Sequence, residues 1–235
     1  MVNLQKGVLE KVERFLSKKK FNYEVIIVDD GSDDGSAEFV AQFVKENRHF
    51  RLIKNSHTGK AGAVTSGMLS AEGDFVLFTD MDQATPIEEV DKLLPYFEKR
   101  YDVVIGSRSS QRKGAPWTRL LMARGFMLLR TIILGLTGIT DTQCGFKAFR
   151  NEASKTLFHK IRGVRGEKTV AGSMVTAGFD VELLFLAQKM GYKVKEVPVN
   201  WFYVETRRVS PVRDSIDGFI GLLKIRLNDL KGLYK

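Results

Sequence analysis

Asp80 and Asp82 stand one residue apart, directly after Phe75 to Phe78, a short apolar run of strand type. Two carboxylates leaving a strand end together make a hard oxygen site. Mg²⁺ and Mn²⁺ suit such a site, because they bind through one or two carboxylates and take their remaining ligands from water and substrate phosphates. The same pair also serves as an ordinary turn whose oxygens accept backbone N–H groups. Neighbouring polar clusters decide between the two, and two are at hand. Asp29 and Asp30 open the cluster DDGSDDGS after the β-branched run Tyr23 to Val28, and Arg108 follows the apolar run Asp102 to Ile105.

The elements that must position these residues alternate along the first half of the chain. Val8, Leu9, Val12, Phe15 and Leu16 give one helical face; Tyr23–Val28 is a strand; Ala37–Val44 reads as a helix. Arg51–Ile53 is a short strand, Lys60–Ala71 a helix of small residues, and Phe75–Phe78 and Asp102–Ile105 are further strands. After the aspartates, Thr85 is expected to cap a helix that has Pro86 at its first position and Glu88 as the partner of a capping box. Alternating strands and helices predict an α/β fold with a Rossmann-like, mostly parallel sheet covered on both faces. Ligands of such sheets bind beyond the carboxyl ends of the strands. The Asp29 turn, the Asp80–Asp82 pair and Arg108 therefore fall in one crevice.

The second half is less regular. Trp117–Leu136 is helical, Gly145–Phe149 a strand, Glu152–Phe158 a short helix and Gly163–Thr169 a loop. Asp180–Met190 is a helix, Lys193–Val199 a strand, and Ile216–Leu230 an amphipathic helix carrying lysines and arginines. No repeat or linker divides the 235 residues, so residues 1–235 read as a single domain. At 43% hydrophobic and 28% charged residues, disordered and collagen-like classes are excluded. A lone cysteine, Cys144, forms no internal disulfide, which fits a reducing cytoplasm.

The net charge of +9 is unevenly placed. Between Asp102 and Asp141 there is no acidic residue, while Arg108, Arg112, Lys113, Arg119, Arg124 and Arg130 all fall inside. Such a segment attracts phosphates. Trp117, Leu120, Leu121, Phe126, Leu128 and Ile132 share it, and a helix both basic and apolar is interfacial in character. Residues 112–138 and 212–235 are accordingly expected to lie on a membrane surface. The apolar stretch Phe126–Leu136 is broken by Arg130 and too short to span a bilayer. Nucleic acid is not an expected partner, since the segment offers aliphatic side chains more than base-stacking aromatics. An EF-hand loop, a Walker A loop, a GxGxxG fingerprint and a zinc cluster are each excluded by spacing or composition.

Taken together, VIIVDDGSDDGS, GKAGAVTSGMLSAEGDFVLFTDMDQATPIEEV, VIGSR, TDTQCGFKAF and FDVELLFLAQKMGYKVKEVPVNW resemble a family 2 glycosyltransferase of the GT-A type. Within that family the chain is most similar to dolichyl-phosphate and polyprenyl-phosphate glucosyltransferases. The resemblance covers nearly the whole chain. It implies inverting transfer of a sugar from a nucleotide diphosphate sugar to a polyprenyl phosphate, by an enzyme peripheral to the cytoplasmic face of a membrane. UDP-glucose is the donor the resemblance favours, and GDP-mannose is the competing one.

The resemblance also implies roles for particular residues. Asp30 would contact the nucleotide base and Asp29 would shape its turn. Lys60 matches a lysine near the donor, Asp80 and Asp82 match the metal motif, and Arg108 matches an arginine suited to a bidentate hold on phosphate. Asp180 lies where the wider family has its base, and Asp141 precedes the CGFK segment near the reaction centre. Asp180 serves equally as a helix cap and Asp141 as a turn residue. Arg119 and Arg124, and Arg207 and Arg208 after the VPVNW strand, are candidates for the acceptor phosphate; Arg207 and Arg208 read almost as well as a solvated loop.

Two departures from the family pattern stand out. Members open with a strand of Pro-Ala-Tyr-Asn-Glu type, and this chain is expected to lack that first strand. Some relatives also carry glutamine two positions after the second metal aspartate, where this chain has Ala84; Gln83 is expected to point elsewhere. The alternative to an enzyme is therefore a non-catalytic nucleotide-sugar or lipid-phosphate binding protein derived from a truncated glycosyltransferase.

Overall fold

The computed structural model describes residues 1–108, 117–166, 178–202 and 211–235, with the backbone alone at 117–123 and 211–215. In chain order its elements are α1 (Val2–Gln5), α2 (Val8–Leu16), β1 (Val25–Asp29), α3 (Ser36–Glu46), β2 (Phe50–Lys54), α4 (Gly59–Ser70) and β3 (Phe75–Thr79). A 3₁₀ turn, Ile87–Glu89, leads to α5 (Val90–Leu93), α6 (Pro95–Glu98) and β4 (Val103–Ser107). There follow α7 (Trp117–Leu134), β5 (Phe146–Arg150), α8 (Asn151–Arg165), α9 (Phe179–Lys189), β6 (Val194–Pro198) and α10 (Pro211–Leu230).

The period-two alternation of β3, β4, β5 and β6 sends their side chains mainly to two cores, while Ile27 of β1 and Phe50 of β2 join α1, α2 and α3 in a third. Val76 and Phe78 of β3, Val103 and Ile105 of β4 and Phe149 of β5 face one core, shared with α4, α8 and α9. Val104 of β4, Phe146 and Ala148 of β5 and Val197 of β6 face the other, shared with α5 and α6. β4 is buried along its whole length because it is covered on both faces and paired on both edges. This is the layered α/β/α arrangement expected from the alternation of elements.

The sheet is mostly parallel, as expected, with β3, β4 and β6 running the same way, and two features break its regularity. β5 runs antiparallel between β3 and β4, while β4 pairs with β6 in parallel, giving the order β3-β5-β4-β6. β1 and β2 form a separate parallel pair. Among the described residues no strand joins β1 to β3; α4 packs against both. Gly67 of α4 permits the close approach to β1, since a β-carbon there would lie 3.1 Å from Val28.

The helix expected from a Thr85 cap is also different. Thr85 is buried with its hydroxyl 3.9 Å from the Cys144 sulfur, and it caps nothing. Pro86 keeps an extended backbone (φ −61°, ψ 147°), so only the 3₁₀ turn follows before α5 begins. With Pro86 extended, the turn starts one residue later at Ile87, so the Thr85 hydroxyl is not placed over first-turn N–H groups and turns inward to Cys144. α8 outruns the sequence expectation, taking in Gly163, Val164 and Arg165, because Arg165 pairs with the buried carboxylate of Glu182 on α9.

Candidate active site at the strand ends

β5 is what assembles the site. Its antiparallel direction pairs Thr79, the last residue of β3, with Phe146, the first of β5, and Ile105 of β4 with Lys147. The turn entering β5 therefore meets the turns leaving β3 and β4. Asp80, Asp82, Arg108, Gln143 and Gly145 consequently line one pocket of about 170 Å³, with Trp201 beyond the end of β6 as a further wall. Trp201 is placed by its neighbour: Asn200 donates from its backbone N and from Nδ2 to the buried carboxylate of Glu89, at 2.9 and 2.8 Å.

Asp80 is held from two sides. The Lys60 ammonium lies 2.7 Å from its Oδ1, and the backbone of Gly145 presses against Oδ2, so closely that a β-carbon on Gly145 would sit 1.9 Å away. Burial acts to lower the pKa of Lys60, but Asp80, Asp180 and Asp82 outweigh it and the net shift is upward. Lys60 is thus a fixed cation among three carboxylates. Asp82 accepts the backbone N–H of Ala84 at 3.0 Å, as a turn-forming aspartate does, while lining the pocket. Gln83, at a positive φ of 49°, donates back to Thr79 Oγ1 and the carbonyl of Asp80.

Arg108 meets Asp141 in a bidentate pair. Its Nε lies 2.7 Å from Oδ2 and its Nη2 2.8 Å from Oδ1, and its backbone N–H also donates to Oδ2. Asp141 is 2% exposed. Burial pulls the pKa of Arg108 down, Asp141 pulls it up, and the outcome is upward. The guanidinium also lies 5.7 Å from the centre of the Trp201 ring.

Asp180, in the first turn of α9, is paired with Lys147 of β5, whose side chain is fully buried and also donates to the carbonyl of Cys144. The helix cap open to Asp180 from sequence is not made, since α9 has no side-chain cap bond. Asp30 accepts from the backbone N–H of Thr58 and Gly59, at 2.8 and 2.6 Å, and from the Thr58 hydroxyl. It thereby fixes the first turn of α4, on which Lys60 is carried. Asp29 accepts from the backbone of Gly31 and Ser32. Arg124 is exposed on α7 and does not line the pocket. The side chain of Arg119, and Arg207 and Arg208 altogether, lie outside the described residues.

Gly145, Gln143 and Trp201 line the pocket and Lys147 holds Asp180 beside it, yet spacing singled out none of the four. Gly145 and Lys147 belong to the CGFK run that begins at Cys144, and Trp201 stands three positions beyond Pro198, the last residue of β6. What distinguishes them is an approach across strands, which leaves no periodic trace.

The family model described as Glycosyl transferase family 2 matches residues 2–158. The dolichyl-phosphate beta-glucosyltransferase of Dictyostelium discoideum is 32% identical over 247 residues, covering 97% of this chain and 72% of that protein. The human protein of the same description is 32% identical with the same coverage, and the one from Saccharomyces cerevisiae is 32% identical over 93% of this chain and 69% of its own. Among solved structures, mannosyl-3-phosphoglycerate synthase from Rubrobacter xylanophilus superposes with a TM-score of 0.62 at 15% identity, over 96% of this chain and 69% of that one. That likeness is one of fold, the GT-A architecture. With the family model matching well over half its length, and with aspartates, lysine and arginine converging at the strand ends, this chain belongs to glycosyltransferase family 2.

Proposed function

We propose that this enzyme transfers glucose from UDP-glucose to a dolichyl-type polyprenyl phosphate, with inversion at the anomeric carbon, while lying on the cytoplasmic face of a membrane. The observation that carries the proposal is the meeting of Asp80, Asp82 and Arg108 around one pocket, with Lys60 on Asp80, in a chain similar to dolichyl-phosphate beta-glucosyltransferases.

Asp80 and Asp82 would hold Mg²⁺ or Mn²⁺. The described residues contain no cluster of three or more metal-ligating side chains. Two pocket-lining carboxylates fit these ions nonetheless, because both ions complete their shells with water and diphosphate oxygens. When bound, the cation offsets the charge developing on the departing nucleoside diphosphate. Arg108, oriented by Asp141, offers its remaining nitrogen to the donor diphosphate, and Lys60 supplies a second fixed positive charge.

An acceptor phosphate oxygen attacks the anomeric carbon from the face opposite the leaving group; the bond to the diphosphate oxygen breaks, and nucleoside diphosphate departs. A lipid monophosphate carries between one and two negative charges near neutral pH, its second pKa being about 6. It needs placing more than deprotonating. The engagement of Asp141 by Arg108 and of Asp180 by Lys147 supports this reading, since both carboxylates orient cations.

The membrane surface would be met by α7 and α10, which pack together. Leu128 and Ile132 of α7 and Phe219, Leu223, Leu227 and Leu230 of α10 are all exposed. Arg124, Lys224 and Arg226 are exposed on the same helices, the combination that suits an interface with anionic lipid. No helix among the described residues is long and apolar enough to cross a membrane.

The test is transfer of radiolabel from UDP-glucose and from GDP-mannose to polyprenyl phosphate, with Mn²⁺ and with a chelator. Label is expected in the lipid from UDP-glucose, with loss on chelation. No transfer from either donor would overturn the proposed reaction, and transfer indifferent to chelator would overturn the role given to Asp80 and Asp82.

A further inference from the structure

In the connection from α7 to β5, five consecutive residues, Ile139 to Gln143, are each tied by a charged side chain. The Glu196 carboxylate on β6 accepts three hydrogen bonds: from the backbone N–H of Thr140 at 2.7 Å, from the Thr140 hydroxyl at 2.7 Å, and from the backbone N–H of Asp141 at 2.8 Å. Arg130 on α7 donates from Nη1 to the Thr142 hydroxyl at 3.1 Å and from Nη2 to the carbonyl of Ile139. Asp141 itself accepts the backbone N–H of Gln143 at 3.2 Å as well as the three bonds from Arg108.

Neither Glu196 nor Arg130 lines the pocket. Arg130 is 2% exposed, and its Nε finds no partner among the described residues. A buried guanidinium with an unmatched donor is a poor way to stabilise a fold, since apolar packing of the same volume does as well or better. Its bonds to Ile139 and Thr142 point to geometry instead. A bidentate arginine–carboxylate pair works only when both planar groups are held in register, and here the carboxylate rides on a non-helical segment that lacks ladder bonds of its own.

We propose that Glu196 and Arg130 are positioning residues of the active site. They fix the 139–143 segment so that Asp141 presents the Arg108 guanidinium to the pocket, and Gln143 with it. The register of β6 on β4 gives the frame: Glu196 lies beside Ile105, on the strand that leads to Arg108. Donor-phosphate recognition by Arg108 is thus set from the far side of the loop. The inference rests on the reading of the pocket as a nucleotide-sugar site.

The experiment compares wild type with E196A, E196Q, R130M, R108A and the double variant E196A/R108A. Two quantities are measured: the rate of phenylglyoxal modification at Arg108 without nucleotide, by peptide mass spectrometry, and the affinity for UDP, with GDP alongside for wild type, in the presence of Mn²⁺, by calorimetry. E196A and R130M are expected to speed modification of Arg108 and to weaken UDP, each roughly tenfold, with E196Q intermediate. In the R108A background, E196A should weaken UDP no further, because residues acting through one another are not additive. Unchanged modification of Arg108 in E196A, or equal losses in both backgrounds, overturns the inference. Should E196A fail to fold, E196Q carries the same comparison. Wild type binding neither UDP nor GDP refutes the nucleotide-sugar reading, while the modification rates still decide the positioning role.

Discussion

The carboxylate of Asp80 lies against the backbone of Gly145, so that a β-carbon added to Gly145 would fall 1.9 Å from Oδ2. Two turns, one leaving β3 and one entering β5, meet at this contact, and only a residue without a side chain permits it. Gly145→Ala must therefore displace Asp80 or the turn itself. A shift of about 1 Å at such a centre costs roughly a hundredfold in rate. We expect G145A to lose about that much in kcat/KM and to bind Mn²⁺ more weakly by electron paramagnetic resonance. Wild-type turnover in G145A would show that the position of Asp80 does not matter.

Asp82 combines a turn bond to Ala84 with a face on the pocket. Asp82→Asn keeps the turn acceptor and removes the charge. Its melting temperature should match wild type, while kcat falls by roughly 10²- to 10³-fold, the size of effect seen when one preorganised electrostatic contact is removed. Mn²⁺ titration of the variant is the check: full rescue at high Mn²⁺ would place the loss in metal affinity, and absence of rescue in the chemical step.

Lys147 is fully buried and relies on Asp180 and the Cys144 carbonyl. Removing one partner of such a pair leaves an uncompensated charge, so Asp180→Ala should destabilise by about 3 kcal/mol in chemical denaturation. The double variant K147M/D180A should recover much of that, since an apolar replacement leaves no orphan. Were Asp180 a general base, D180N would lose the acidic limb of its pH–rate profile. With the acceptor phosphate as the ionising group, the limb near a pKa of about 6 should persist in D180N.

The exposed side chains of Leu128, Ile132, Leu223 and Leu227 lie on two helices that pack together. Replacing all four with serine removes apolar area that costs little in the folded protein. Binding to anionic liposomes in a sedimentation assay should fall by at least about tenfold, with transfer to a long-chain acceptor falling in step. Liposome binding unaffected by the quadruple variant would contradict the membrane assignment.

The buried carboxylate of Glu182 accepts from both the Tyr234 hydroxyl and Arg165. Tyr234→Phe removes one partner of a buried charged group and should cost about 1–3 kcal/mol, read as a lowered denaturation midpoint. No change would mean that Arg165 alone satisfies Glu182.

Much of this was legible in the sequence. The strands around Ile27, Leu52, Phe78 and Ile105 announce themselves as apolar runs, and Asp80 and Asp82 follow the end of β3 as Arg108 follows the end of β4. Burial on both sheet faces demands such runs, and ligands collect where parallel strands end. Element boundaries went astray where a tertiary contact overruled a local signal. Thr85 turned inward to Cys144 instead of capping a helix, and α8 was lengthened by the Arg165–Glu182 pair.

Residue types and spacing by themselves determined the fold class, the helices and strands, and the carboxylates at the strand ends, because periodicity and turn chemistry act between near neighbours. Only the tertiary structure decided what those groups touch. Asp30 fixes the start of α4, Asp141 holds Arg108, Asp180 holds Lys147, and Glu196 secures the segment that carries Asp141. Each of these bonds joins residues far apart in the chain, the last three through the direction and register of β5 and β6, which no local pattern encodes.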